Sequence, residues 1–124
     1  MSAYDLNVAV RTQYLAEQSD PAKSSYVFSY TITIKNTGQV PTQLISRHWV
    51  ITDANNHTQE VHGLGVVGHQ PLLKPGEQFE YTSGTQMNTP HGSMYGEYFC
   101  VAEDGHRFEA KIPEFGLALP QTLH

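Results

Sequence analysis

A chain of 124 residues, 39% of them hydrophobic, is long enough to bury a core of its own without a metal or disulfide staple. Twelve acidic residues against seven basic ones give a formal charge of −5, a field that repels phosphate backbones and anionic bilayers and disfavours nonspecific nucleic-acid binding. The cations Arg11, Lys23, Lys35, Arg47, Lys74, Arg107 and Lys111 are scattered singly, and no apolar run approaches the ~20 residues that cross a bilayer, so membrane insertion is not expected.

In chain order, Leu6, Val8 and Val10 open a strand expected to run to about Ala16. Tyr26 to Asn36 is the clearest strand, with Tyr26, Phe28, Tyr30, Ile32 and Ile34 on one face and Ser29, Thr31, Thr33 and Lys35 on the other. Leu44 to Asp53 reads as a third, carrying Ile45, Trp49, Val50 and Ile51, and further strands are expected at Thr58 to Val61, Gln78 to Ser83, Met94 to Ala102 and Arg107 to Ile112. Breaks fall at Asn36-Thr37-Gly38 and at Asp53-Ala54-Asn55-Asn56. Lys74-Pro75-Gly76-Glu77 has the proline and glycine of a type II turn, and Asp104-Gly105 suits a tight hairpin whose two central residues both tolerate positive φ. Two longer connections, Val61 to Pro71 and Thr85 to Gly92, are places where a stiff scaffold often carries recognition.

Nowhere do ten or more residues carry a 3.6-residue apolar stripe, which removes the support for helical and parallel βαβ classes. The pattern predicts one all-β domain over residues 1–124, an immunoglobulin/fibronectin type III-like β-sandwich of about seven or more antiparallel strands, with a small open barrel as the alternative. Trp49 on the third strand, and Tyr98 two residues before Cys100 as in a tyrosine corner, agree with the sandwich. Cys100 is the only cysteine, so no internal disulfide forms. The opening Met1-Ser2-Ala3-Tyr4-Asp5 lacks the basic and apolar regions of a secretory signal, and a reducing cytoplasm is the expected compartment.

Gly63-Leu64-Gly65-Val66-Val67-Gly68 fits the G-x-G-x-x-G pattern that brings backbone amides against a pyrophosphate. A dinucleotide site needs a helix after that loop, whereas Pro71 follows at once and no helical stripe comes after it. A tight glycine loop between strands is the plainer reading. The surviving functional version is an anion-binding nest at Gly63, Gly65 and Gly68, with Arg47, His62 and His69 supplying charge to a phosphate or nucleotide. Seven histidines (His48, His57, His62, His69, His91, His106 and His124) are many for this length, but none pair at the H-x-x-x-H interval and no cysteine pair accompanies them. Scattered surface histidines are therefore expected, with no metal site and no cofactor. There is no G-x-S-x-G elbow, nothing near Cys100 to activate a thiolate, and no catalytic residue to name.

Several segments together resemble the bacterial ApaG family: Tyr26-x-Phe28-x-Tyr30-x-Ile32-x-Ile34-x-Asn36, Ser46-Arg47-His48-Trp49, and Val61-x-Gly63-x-Gly65-Val66-Val67-Gly68-x-Gln70-Pro71. The likeness continues through Pro75-Gly76-Glu77-x-Phe79-x-Tyr81-x-Ser83-Gly84, Pro90-x-Gly92-x-Met94-x-Gly96 and Ile112-Pro113-x-Phe115, so it spans nearly the whole chain in order. The resemblance implies a fibronectin type III-like sandwich whose biochemical activity is unsettled, described in connection with cobalt and magnesium efflux. The family's glycine motif falls on Gly63, Gly65 and Gly68. Similar domains in eukaryotes are joined to F-box proteins and to a polymerase-delta-interacting protein, which implies protein recognition. The expectation is a noncatalytic protein-binding module, indirectly linked to divalent-cation homeostasis and able to form a homodimer through a sheet edge. The alternative is a pyrophosphate- or nucleotide-binding protein, with hydrolase activity possible, centred on the glycine loop.

Overall fold

Alternating polar and apolar residues bury one face of a strand and wet the other, and a computed structural model describing residues 3–120 realises this as two stacked antiparallel sheets. The strands are β1 (Leu6–Tyr14), β2 (Tyr26–Asn36), β3 (Thr42–Asp53), β4 (Thr58–Leu64), β5 (Leu72–Leu73), β6 (Gln78–Met87), β7 (His91–Ala102) and β8 (Arg107–Ala118), with short 3-10 turns at Ala16–Gln18 and Pro21–Lys23. The smaller sheet has the order β1-β2-β6. The larger runs β4-β3-β7-β8, with β5 added beside β3.

The core lies between the sheets. Phe28, Tyr30, Ile32, Ile34 and Tyr81 from the smaller sheet meet Leu44, Trp49, Ile51, Met94, Tyr98, Ile112 and Leu117 from the larger. Trp49 stands edge-on to Tyr30, Tyr98 and Phe115, with centroids 5.3, 6.5 and 5.9 Å away, in the tilted geometry that aromatic quadrupoles favour. Opposite Trp49 on β7 is Gly96, where an added Cβ would collide with the His48 carbonyl oxygen. Buried Asn36 donates through its side-chain amide to the Val40 and Leu73 carbonyls, both at 2.9 Å, and closes the turn beneath the sheets.

Several strands are longer than the apolar alternation suggests. β6 continues through Gly84 and Thr85 to Met87, and β7 already begins at His91, so Thr85 to Gly92 is mostly strand and the connection is residues 88–90. Thr85, Gln86 and Met87 pair with Phe28, Val27 and Tyr26, so backbone pairing extends the strand where side-chain patterning is silent. β8 likewise passes Ile112 to reach Ala118. Its register shifts around Pro113 and Glu114, a bulge that accommodates a proline without a ladder donor. β1 stops at Tyr14, before the expected end at Ala16, because residues 16–18 coil into a 3-10 turn.

Two local motifs also differ from the sequence reading. The hairpin expected at Asp104-Gly105 forms between β7 and β8, but only Gly105 has positive φ, +90°, with its amide on the Ala102 carbonyl. The Tyr98 hydroxyl bonds the Tyr81 hydroxyl across the core at 2.6 Å and not upstream backbone, so it is an inter-sheet tie in place of a tyrosine corner. The Lys74–Glu77 type II turn forms as read, with Gly76 at φ +87° and the Glu77 amide on the Lys74 carbonyl.

Removing one hydroxyl of the buried Tyr81–Tyr98 pair leaves the other unsatisfied, which costs about 1–3 kcal/mol. Chemical denaturation is therefore expected to show Tyr98→Phe destabilised by that order, and Tyr81→Phe combined with Tyr98→Phe less destabilised than the sum of the single changes. At the β3–β4 turn, Asp53 accepts from the His57 and Asn55 amides, both at 2.9 Å, and the His57 bond leads in holding its pKa below the usual 3.8. A depressed carboxylate contributes stability above its unfolded pKa and loses it as pH falls through the folded value. The melting temperature of wild type is expected to exceed that of Asp53→Ala at neutral pH, with the gap closing below the ordinary carboxylate range.

Candidate functional site

The larger sheet carries two different surfaces because neighbouring residues on a strand face opposite ways. On β3, Arg47, Trp49 and Ile51 point toward the other sheet, while Ser46, His48 and Val50 point outward. The phase is set by a bulge between Leu44 and Ser46, where Ile45 is the extra residue.

The glycine loop is built around that bulge. Gly65 donates to the Ile45 carbonyl at 2.8 Å and the Gln70 side-chain amide donates to the same oxygen at 2.9 Å. Arg47 donates through Nη1 to the Leu64 and Gly65 carbonyls, both at 2.9 Å. A Cβ at Gly63 would sit 2.7 Å from the Arg47 guanidinium carbon, a Cβ at Gly65 would strike the His69 carbonyl, and Gly68 takes φ +83°. Val66 and His69 exchange backbone hydrogen bonds of 2.8 and 2.9 Å around Val67 and Gly68, so the chain reverses as a hairpin and enters no helix.

Of the residues singled out in sequence, Arg47, Gly63 and Gly65 meet. Arg47 turns its Nη1 to loop carbonyls, and the amides of Gly65, Val66 and His69 are engaged within the protein. Gly68 lies at the exposed tip, and the His69 ring rests 5.6 Å from that of Phe79. His62 stands on the opposite surface from Arg47, one position along β4 from Gly63.

On that outer surface, cross-strand registry lines up His62, His48, Glu97 and Lys111 in one row over four strands. His48 Nδ1 lies 2.7 Å from Glu97 Oε1 and Nε2 lies 3.1 Å from Glu60 Oε1, while the His62 ring stacks on it at 4.2 Å and 7°. The Glu97 hydrogen bond raises the His48 pKa above 6.5; desolvation opposes it, and the Glu60 hydrogen bond adds a smaller upward push. The expectation of scattered histidines therefore fails for this pair. The legible signal was Glu60-x-His62, a two-residue spacing that shares a face on a strand, beside a third-strand histidine.

Flanking this polar row are apolar side chains. Leu64, Ser46, Phe99 and Glu109 form one neighbouring row, Glu60, Val50 and Tyr95 another, and Leu72, Gln43 and Val101 a third. Leu64 is 75% exposed, Leu72 59%, Tyr95 43% and Phe99 36%. Among the described residues, every exposed large hydrophobic side chain sits on this sheet or, as with Val67, in the hairpin rising from it. The outer face of the smaller sheet is polar, with Thr31 bonded to Thr82 and Glu80 engaged by Thr33 and Arg11.

Fold and surface thus define a two-sheet antiparallel β-sandwich with a hydrogen-bonded glycine hairpin and one outer face on which exposed apolar side chains flank a polar row. The model of the ApaG domain family matches residues 16–102, and the chain belongs to that family. It is 71% identical to Protein ApaG of Ralstonia nicotianae over 124 residues, all of both chains, and 64% identical to Protein ApaG of Thiobacillus denitrificans over 98% of this chain and 95% of that one. The crystal structure of the putative ApaA protein from Bordetella pertussis superposes with a TM-score of 0.95 at 59% identity, covering 98% of both chains.

Val67 holds φ +43°, a left-handed conformation that costs a β-branched residue on the order of 1–2 kcal/mol. Replacing Val67 by Asn, which adopts this region readily, is expected to stabilise the protein by about 1 kcal/mol in thermal or chemical unfolding. Gly63→Ala, which drives a methyl group into the Arg47 guanidinium, is expected to destabilise it and to speed hydrogen exchange at Gly65.

Proposed function

We propose that this ApaG-family domain is a noncatalytic protein-binding module whose partner docks on the outer face of the larger sheet. The observation that carries this reading is the segregation of the exposed apolar residues Leu64, Leu72, Tyr95 and Phe99 to that one face. Exposed apolar side chains gathered on one face among polar ones are a mark of a recognition surface. Glu60, Glu97 and Glu109 share the face and the chain carries a net charge of −5, so the fitting partner is a protein with an apolar patch bordered by basic groups.

A binding role also agrees with the reactive groups. Burial pushes the Cys100 thiol up to about 12, which keeps it protonated and unreactive, and burial likewise raises Tyr81 and Tyr98. We take the scaffold to be of the fibronectin type III kind, working in the cytoplasm, where a reduced lone cysteine is at home. An influence on divalent-cation homeostasis is then exerted through the partner. Among the described residues no helix is long and apolar enough to cross a membrane.

The test compares wild type, Leu64→Ser combined with Phe99→Ser, and Thr33→Lys on the polar sheet, each used to capture proteins from bacterial extract and then titrated against every purified candidate. At least one protein is expected to bind wild type and Thr33→Lys alike and to lose roughly 30-fold in affinity for the outer-face variant, the effect of deleting a hot spot of about 2 kcal/mol. Capture that is empty, or indifferent to the Leu64 and Phe99 changes, contradicts the reading.

A further inference from the structure

We infer that His48, Glu60 and His62 form a binding site for one divalent transition-metal ion, with Glu97 as the supporting carboxylate. The inference is independent of protein docking on the same face, since it concerns what these side chains hold on their own.

One ligand atom from each of the three residues lies within 4.8 Å of the other two. Ligands at about 2.0–2.2 Å from an ion stand no more than about 4 Å apart, so small side-chain rotations complete the set. Glu60 and His62 are exposed and free of the core, and His48 keeps a quarter of its side chain accessible. In the present arrangement the two imidazole planes are parallel within 7°, so their nitrogens do not converge on one point, and His48 Nε2 is hydrogen-bonded to Glu60 through a proton that the ion replaces. Binding therefore requires His62 to turn, a motion that its exposure permits.

The strand scaffold supplies the placement. His62 is directly opposite His48 in the β3–β4 ladder, and Glu60 is two residues along β4 on the same face. Glu97, held opposite His48 on β7, accepts from Nδ1 at 2.7 Å. That bond directs the other ring nitrogen, Nε2, toward Glu60 and His62, as the outer carboxylate does in carboxylate–histidine–metal arrangements. Lys111 Nζ lies 3.9 Å from the second Glu97 oxygen and completes the charge environment on the β8 side.

Two imidazole nitrogens and one carboxylate oxygen suit borderline divalent ions such as zinc and nickel. Magnesium and calcium prefer sites made of oxygen alone. With three protein ligands on an open sheet surface, further coordination positions remain for water or for a group from a partner.

The test is isothermal titration of the untagged full-length chain with zinc chloride and separately with nickel chloride, alongside amide chemical-shift mapping. One ion per chain is expected, with shifts centred on residues 48, 60 to 62 and 97. Affinity is expected to fall at least tenfold in Glu60→Gln and in His62→Asn. Glu97→Gln is expected to weaken it about 10–100-fold, as loss of an outer-shell partner does. His57→Asn and His69→Asn, outside the cluster, serve as controls and are expected to bind like wild type. Because Glu60 and His62 are exposed, unchanged melting temperatures will show that lost binding is not lost folding. No uptake up to about 1 mM ion, binding undiminished in His62→Asn, or equal shifts with magnesium chloride would each overturn the inference.

Discussion

The phase of β3 is the constraint on which the rest of the molecule depends. Strict alternation from buried Leu44 would turn residues 46, 48 and 50 inward, placing His48 in the core and Trp49 in water. The bulge at Ile45 inserts one residue and inverts that outcome, so Trp49 joins the aromatic core and His48 faces outward. Such a bulge leaves backbone groups outside the ladder. Here the Ile45 carbonyl is satisfied twice, by the Gly65 amide and by the Gln70 side chain. The glycine hairpin is thus the clamp that fixes the register of the central strand, with Arg47 bracing it through the Leu64 and Gly65 carbonyls.

From that phase follow the two unlike surfaces of the larger sheet. Inward, Trp49 packs against the edges of Tyr30 and Phe115, while Gly96 across the ladder leaves room for the His48 carbonyl. Outward, β3 presents His48 to His62 and Glu97, Ser46 to Leu64 and Phe99, and Val50 to Glu60 and Tyr95. One residue of slip would exchange these sets, burying a charged histidine network and exposing the only tryptophan. The bulge thereby sets both surfaces at once: the interaction that seats the core also displays the outer face.

Much of the fold was legible in the sequence. The Tyr26–Asn36 alternation, the Lys74–Glu77 turn and the absence of helical stripes predict antiparallel strands with the core face of β2 correctly assigned. The ends of β6 and β8 were not legible, because Gly84, Gln86, Pro113 and Gly116 carry no apolar alternation and are held by ladder pairing. The site was less legible than the fold. A glycine pattern familiar from phosphate loops arises here from local steric demands: room for a guanidinium at Gly63, room for a carbonyl at Gly65, and left-handed backbone at Gly65 and Gly68. The His48 network joins three strands, and pairing between distant segments cannot be read from spacing within one of them.

Because Trp49 is the only tryptophan, its fluorescence reports the phase of β3 directly. Acrylamide quenching of the native protein is the decisive measurement. At 2% exposure Trp49 should show blue-shifted emission and quenching far slower than in the denatured chain. Native emission at the wavelength of hydrated indole, quenched as readily as the unfolded protein, would mean that the strand is turned the other way and that His48, not Trp49, lies inside.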